Sequence, residues 1–270
     1  METLLSNMLF VFFFLCTIAF VCELIDSSIG MGYGTILSPL LLILGFGAHD
    51  AVPAILISQM IGGALAARQH HILGNAYFNR IDGKLSPDTK AVLIISVLGI
   101  FASLFAAYVG THIIEKSTLN YTIGGLVLLM AFVLMMGFTF EYTTGKMFIL
   151  GIVSAFNKGL SGGGFGPLVT GGQVVMGKGH RSAIGVTTLA EVLICLVGFM
   201  SYVFYGSIER WDLVAALCIG SALGSSVGPK ATLQLSQKEL LKKIIPFVLL
   251  VLGTLTILKT SGVIHLNVSM

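Results

Sequence analysis

Long hydrophobic runs divided by short polar ones set the plan of this chain. Met8 to Cys22, Ala91 to Val109, Tyr121 to Phe138, Ile184 to Phe204, Leu213 to Val227 and Ile244 to Leu258 are almost wholly apolar, and most approach the roughly 20 residues that a helix needs to cross a bilayer. The longest polar connection, Arg68 to Lys90, is too short to fold alone. Two of the apolar stretches are interrupted by glycine, as IGMGYG at 29–34 and as LSGGGFG at 160–166.

These interruptions belong to an internal repeat. A shift of 132 residues carries Gly30, Gly32, Gly34, Gly45 and Gly47 onto Gly162, Gly164, Gly166, Gly177 and Gly179, with Tyr33 falling on Phe165 and Ala51 on Ala183. Self-similarity over that distance marks a duplicated chain, with halves 1–138 and 139–270. In the first half the pattern predicts helices over 7–25, 36–47, 51–67, 91–109 and 120–138, with a break over 26–35. The second half repeats the series at 146–158, 168–177, 183–204, 212–228 and 243–259, with a break over 159–167. The piece from Ile36 to Gly47 would reach only roughly 18 Å, little over half of a ~30 Å hydrocarbon core, and reads as a half-helix.

Composition agrees with a membrane protein: 56% of residues are hydrophobic and 10% charged, against about a quarter charged in soluble domains. The net charge of +3 resides in loops, so nucleic acid is an unsuited partner. The basic loops are Arg68 to Lys90, Lys178 to Arg181 and Lys230 to Lys243, and the poor ones Gly47 to Asp50, Gly110 to Leu119 and Tyr205 to Trp211. The positive-inside rule puts all three basic loops on one side only if each half contributes five elements. An odd number per half inverts the second half and leaves both termini outside. The fold expected is therefore an all-α polytopic membrane protein of two inverted-topology repeats, each with four spanning helices plus a short half-helix after a Gly-rich break. Inverted repeats with broken helices are a common plan for secondary transporters.

Backbone irregular at membrane depth leaves polar groups unpaired unless protein or a wet cavity satisfies them. Matching breaks thus suggest a cavity between them, into which the half-helices point free N–H groups suited to an anion; close helix packing by the same glycines is the alternative. Gly30, Gly32, Tyr33 and Gly34 line one break, and Ser161, Gly162, Gly163, Gly164, Phe165 and Gly166 the other. Lys158 lies deep in its helix, where a cation needs a partner or a task, and the shift places Asp26 on it, so an ion pair between the halves and an anion-binding role both stand open. Gln59, Thr187 and Thr188 offer amide and hydroxyl donors, although the threonines could equally bond their own helix. Glu191, which the shift superposes on Gln59, is a carboxyl inside an apolar helix and a candidate proton carrier alongside Asp26, with Glu23 a weaker one; pairing of Glu191 with Lys158 is the structural alternative. His70, His71 and His180 read as solvated or facing headgroups, the four cysteines as packing residues, and no metal or other cofactor is expected.

With these features in place, "IDSSIGMGYGTILSPLLLILGFGAHDAVPAILISQMIGG" and "FNKGLSGGGFGPLVTGGQVVMGKGHRSAIGVTTLAEVL" resemble the sulfite exporter TauE/SafE family, also called TSUP, over essentially the whole chain. The resemblance implies a carrier of small sulfur-containing anions such as sulfite, sulfonates or sulfoacetate in a bacterial inner membrane, with some members assigned other organic anions. The partners implied are a small anionic substrate and the bilayer; a homodimer is one candidate assembly. The first half has Ile55 and Leu56 where the second has Thr187 and Thr188, which speaks against two equivalent sites. Gly159-Leu160-Ser161-Gly162 also matches the GxSG nucleophile motif of rhomboid intramembrane proteases, but the sequence offers no mid-helix histidine as a base, His180 being in a turn and His265 in the tail. A passive anion channel or an uptake permease is the further alternative.

Overall fold

A computed structural model describes residues 2–81, 83–136, 144–205, 208–235 and 239–264. Both chain ends, the boundary between the halves at 138 and 139, and His265 lie outside the described residues. The described chain is helical almost throughout: α1 (Glu2–Ile29), α2 (Tyr33–Ile43), α3 (Ala48–Ile72), α4 (Pro87–Tyr108), α5 (Lys116–Met136), α6 (Thr144–Ser161), α7 (Phe165–Val175), α8 (His180–Phe204), α9 (Trp211–Leu235) and α10 (Glu239–Thr260). A short hairpin, β1 (Arg80–Ile81) with β2 (Lys84–Leu85), lies between α3 and α4, and a π-helical turn, Val109–Ile113, follows α4.

Among the described residues, six helical segments are long and apolar enough to cross a membrane: Met8–Ile29, Ala48–Ile72, Pro87–Ile113, Lys116–Met136, His180–Phe204 and Trp211–Thr232. These six are among the eight spanning helices expected from sequence. Of the other two, α6 carries Lys158 within its apolar run, and the described apolar part of α10 is the shorter Ile244–Thr260.

The breaks are tighter than the pattern suggests. They occupy only Gly30 to Gly32 and Gly162 to Gly164, because Tyr33 and Phe165 already begin the half-helices. Positive φ at Gly32 (139°) and Gly164 (80°) turns the chain at the residue before each half-helix, a conformation open to glycine at little steric cost. Ends coincide across the repeat: the 132-residue shift carries Tyr33–Ile43 onto Phe165–Val175 and Ala48–Ile72 onto His180–Phe204.

Packing exchanges partners between the halves. α1 runs along α9 and α6 along α4, while α3 meets α8 and α5 meets α10. The α1–α9 seam is made by glycines four apart. A methyl at Gly220 would lie 2.3 Å from the Cys16 carbonyl oxygen, at Gly224 2.5 Å from that of Phe20, and at Gly228 1.9 Å from Ser27 Oγ. Helices in lipid gain little from apolar burial, so such backbone proximity is what holds them together. Cys22 and Cys195 are buried and all four cysteines are free.

Candidate functional site

The two breaks cross in direct contact. A methyl at Gly34 would fall 1.7 Å from the carbonyl oxygen of Gly162, and one at Gly166, which is Gly34 moved by the repeat shift, would fall 2.4 Å from that of Gly30. A methyl at Gly163 would fall 2.8 Å from the Gly34 carbonyl and 2.9 Å from Thr35 Cα. Among the described residues the two breaks meet by close backbone approach, and the space beside the contact is a narrow crevice lined by Gly34, Thr35, Ser161, Gly163 and Gly164. Gly32 lies against Ile25, Phe165 is wholly buried in a cluster with Val169, Ala155 and Val186, and the Tyr33 hydroxyl donates to Ser58 Oγ at 2.6 Å.

Beside the crossing, four side chains form one chain of polar contacts. Gln59 Nε2 donates to Asp26 Oδ2 (3.2 Å), Lys158 Nζ donates to Gln59 Oε1, and Lys158 Nζ pairs with Glu191 Oε1 at 2.9 Å. All four are buried, Lys158 to 1% exposure. The repeat relates Asp26 to Lys158 and Gln59 to Glu191, so the Asp26–Gln59 contact and the Lys158–Glu191 pair are equivalent contacts in the two halves. Of the pairings left open by the sequence, Lys158 takes Glu191, and Asp26 reaches Lys158 only through Gln59. Glu23 lies one layer away and accepts from Ser221 Oγ at 2.9 Å.

The N-termini of the half-helices differ. At α2, Tyr33 N donates to Asp26 Oδ1 at 3.1 Å, so the chain supplies its own anion there. At α7 the equivalent position carries Lys158. Gly164 N donates to Thr35 Oγ1 (3.0 Å) and Gly163 N to Ser161 Oγ (3.2 Å), both neutral acceptors. Ser161 Oγ in turn contacts Asn157 O and Asn157 Oδ1, each at 2.9 Å. Neither of these acceptors is a base of the kind a serine nucleophile needs. Thr188 donates to its own helix at Ile184 O (2.9 Å), whereas Thr187 joins Thr170 and Gln173, both at 2.9 Å, beneath the Gly30 carbonyl.

Thr35, Asn157, Thr170, Gln173 and Ser221 escaped the sequence reading. A signal existed: Asn157 and Ser161 are four apart, and Thr170 and Gln173 three apart, each pair sharing a helix face in an apolar run. His70 was misplaced. It is fully buried, its Nε2 bonded to Ser27 O (3.0 Å) and its Nδ1 accepting from Asn75, which also donates to Pro229 O at 3.2 Å. The histidine thus satisfies a carbonyl at the end of α1, and Asn75 ties the Pro229 carbonyl of α9 to the end of α3. At the other end of the molecule a polar depression of about 290 Å³ is lined by His49, Asp50, Thr111, His112, Lys116, Tyr205 and Glu209. Gly110, adjacent to it, lies against Tyr202 and Leu160, and the Tyr202 hydroxyl bonds Gly159 O at 3.2 Å.

Spanning helices, two broken half-helices and charge buried at their crossing define an integral membrane protein built on the plan of a transporter. A family model for the sulfite exporter TauE/SafE matches residues 15–256, and the chain belongs to that family. Neither a curated protein nor a solved structure matches it.

Proposed function

We propose that the chain carries small sulfur-containing anions of the sulfite, sulfonate or sulfoacetate type across a bacterial inner membrane, by alternating access between two inverted repeats, 1–138 and 139–270. The observation that carries this reading is the crossing of the two broken helices beside the Asp26–Gln59–Lys158–Glu191 chain. Family membership supports the substrate class. The repeat supports the inversion: α2 and α3 recur as α7 and α8, and the first helix of each half packs on the fourth of the other.

In this reading the closed crossing is the occluded arrangement. The polar depression around His49 and Lys116 serves as the mouth on the side of the poor loops, the side to which the positive-inside rule assigns the termini. Three carboxyl groups, Glu23, Asp26 and Glu191, are buried near one ammonium, Lys158. A dry interior does not hold that many uncompensated negative charges, so protons on the carboxyls accompany each cycle, and Glu191, in direct contact with Lys158, couples them to the anion. Lys158 stands as the charge partner of the substrate, and Ser161 as a hydroxyl donor, not a nucleophile.

Flux of labelled sulfite into proteoliposomes, with and without an imposed proton gradient, tests this. Wild-type protein should accumulate sulfite only with the gradient, and Glu191→Gln should remove the dependence. Gradient-independent leakage by the wild type would instead indicate a channel.

A further inference from the structure

We infer that the anion binds at one asymmetric subsite, a crevice on the α5 side of the second break, lined by Thr35, Ser38, Asn157, Ser161, Gly163 and Gly164. The inference rests on the transport reading above and names the site within it. Three independent features converge there.

The first is a hydroxyl without a partner. Ser38 is 1% exposed, lines the crevice, and its Oγ makes no hydrogen bond. Buried hydroxyls in apolar helices ordinarily bond a carbonyl of the preceding turn, as Ser27, Thr188 and Ser201 do here. Leaving a buried donor unsatisfied costs about 1–3 kcal/mol, a cost that a bound acceptor would remove. Thr170, which the repeat shift relates to Ser38, is by contrast satisfied by Gly30 O and Thr187.

The second is charge. The crevice is lined by hydroxyls, an amide and the Gly163–Gly164 backbone that leads into the N-terminus of α7, and no carboxylate lines it. The helix end it adjoins lacks the acidic cap that Asp26 gives α2, and the Lys158 ammonium lies 3.0 Å from where a methyl on Gly34, another lining residue, would stand. Donors, a helix N-terminus and one cation select a small, compact oxyanion. The third is asymmetry. The repeat equivalents of Asn157 and Ser161 are Ile25 and Ile29, so the other break offers no such lining, and one anion binds per chain.

The crevice is too narrow to admit a water and is closed by Leu126, Val127 and Met130 of α5. Loading therefore requires α5 to move away from α2 and α6. Apolar side chains, one of them a flexible methionine, form that wall, so the movement breaks no polar contact of theirs.

The test is equilibrium binding of ³⁵S-labelled sulfite, with methanesulfonate as competitor, to the detergent-purified full-length chain. Variants are Ser38→Ala, Asn157→Asp and, as a control, Ser96→Ala, whose hydroxyl bonds Ala190 O elsewhere. Ser38→Ala should weaken binding about tenfold or more and Asn157→Asp should abolish it, with Ser96→Ala unchanged. Because Ser38→Ala deletes one buried, unbonded oxygen, its thermal midpoint should equal or exceed that of the wild type even if Asn157→Asp folds poorly. Binding by both Ser38→Ala and Asn157→Asp within twofold of wild type overturns the subsite and leaves the transport reading standing. Wild-type protein that binds neither anion overturns both.

Discussion

Lys158 sits where a lone cation is least tolerated, and its surroundings explain how it survives. Its ammonium is shared between Glu191 and Gln59, so removing it strands a carboxylate in a dry interior. Breaking a buried pair by deleting one partner costs about 3–5 kcal/mol, whereas replacing both partners is often nearly neutral. Lys158→Met should therefore lower the thermal midpoint sharply, and Lys158→Met combined with Glu191→Gln should recover most of the loss; the two variants compared in one detergent check this. Gly34→Ala tests the crossing itself. With Gly162 O only 1.7 Å from the new methyl, the breaks must separate, and the variant should fail to yield monodisperse protein on gel filtration. Sequence pointed to the residues of this cluster because the repeat shift superposes Asp26 on Lys158 and Gln59 on Glu191. It did not reveal that Gln59 would stand between Asp26 and Lys158, since side-chain reach depends on how far apart the crossing holds α1 and α6.

Elements here are held by backbone contact and by cations on carbonyls. Gly220, Gly224 and Gly228 let α9 lie against α1. Gly224→Leu should push the helices apart and abolish recovery of folded protein, while Gly125→Leu, at a position with open space around it, should be tolerated; expression followed by size-exclusion profiles distinguishes them. The end of α2 is capped from the other half, where Lys259 Nζ donates to Leu42 O (3.1 Å) and Ile43 O (2.8 Å). The long helices were legible from apolar runs, and the half-helices from glycine and length. Their starts were misjudged by about three residues because Tyr33, Gly34 and Thr35 look like loop in a glycine-rich stretch, whereas the left-handed glycine that ends the break is Gly32. The seam on α9 also went unread: its glycines were counted as composition, not as a face with period four.

At the scale of the molecule, the proposed inverted arrangement makes a prediction about sides. A cysteine at Lys84, in the hairpin of the basic loop, should react with a membrane-impermeant maleimide only after cells are permeabilised, whereas one at Lys116, in the polar depression, should react in intact cells. Duplication was plain in the sequence, since five glycines kept one register over 132 residues, as Gly30 and Gly162 illustrate. The closed contact of the breaks was not, because the same glycines suit a wet cavity and a dry crossing, and only their three-dimensional relation separates the two. The account stands most directly on counterflow. Proteoliposomes loaded with unlabelled sulfite and diluted into a trace of labelled sulfite should show a transient overshoot of label inside, absent in Lys158→Met liposomes. Label that enters without an overshoot, or does not enter at all, contradicts a carrier built on this crossing.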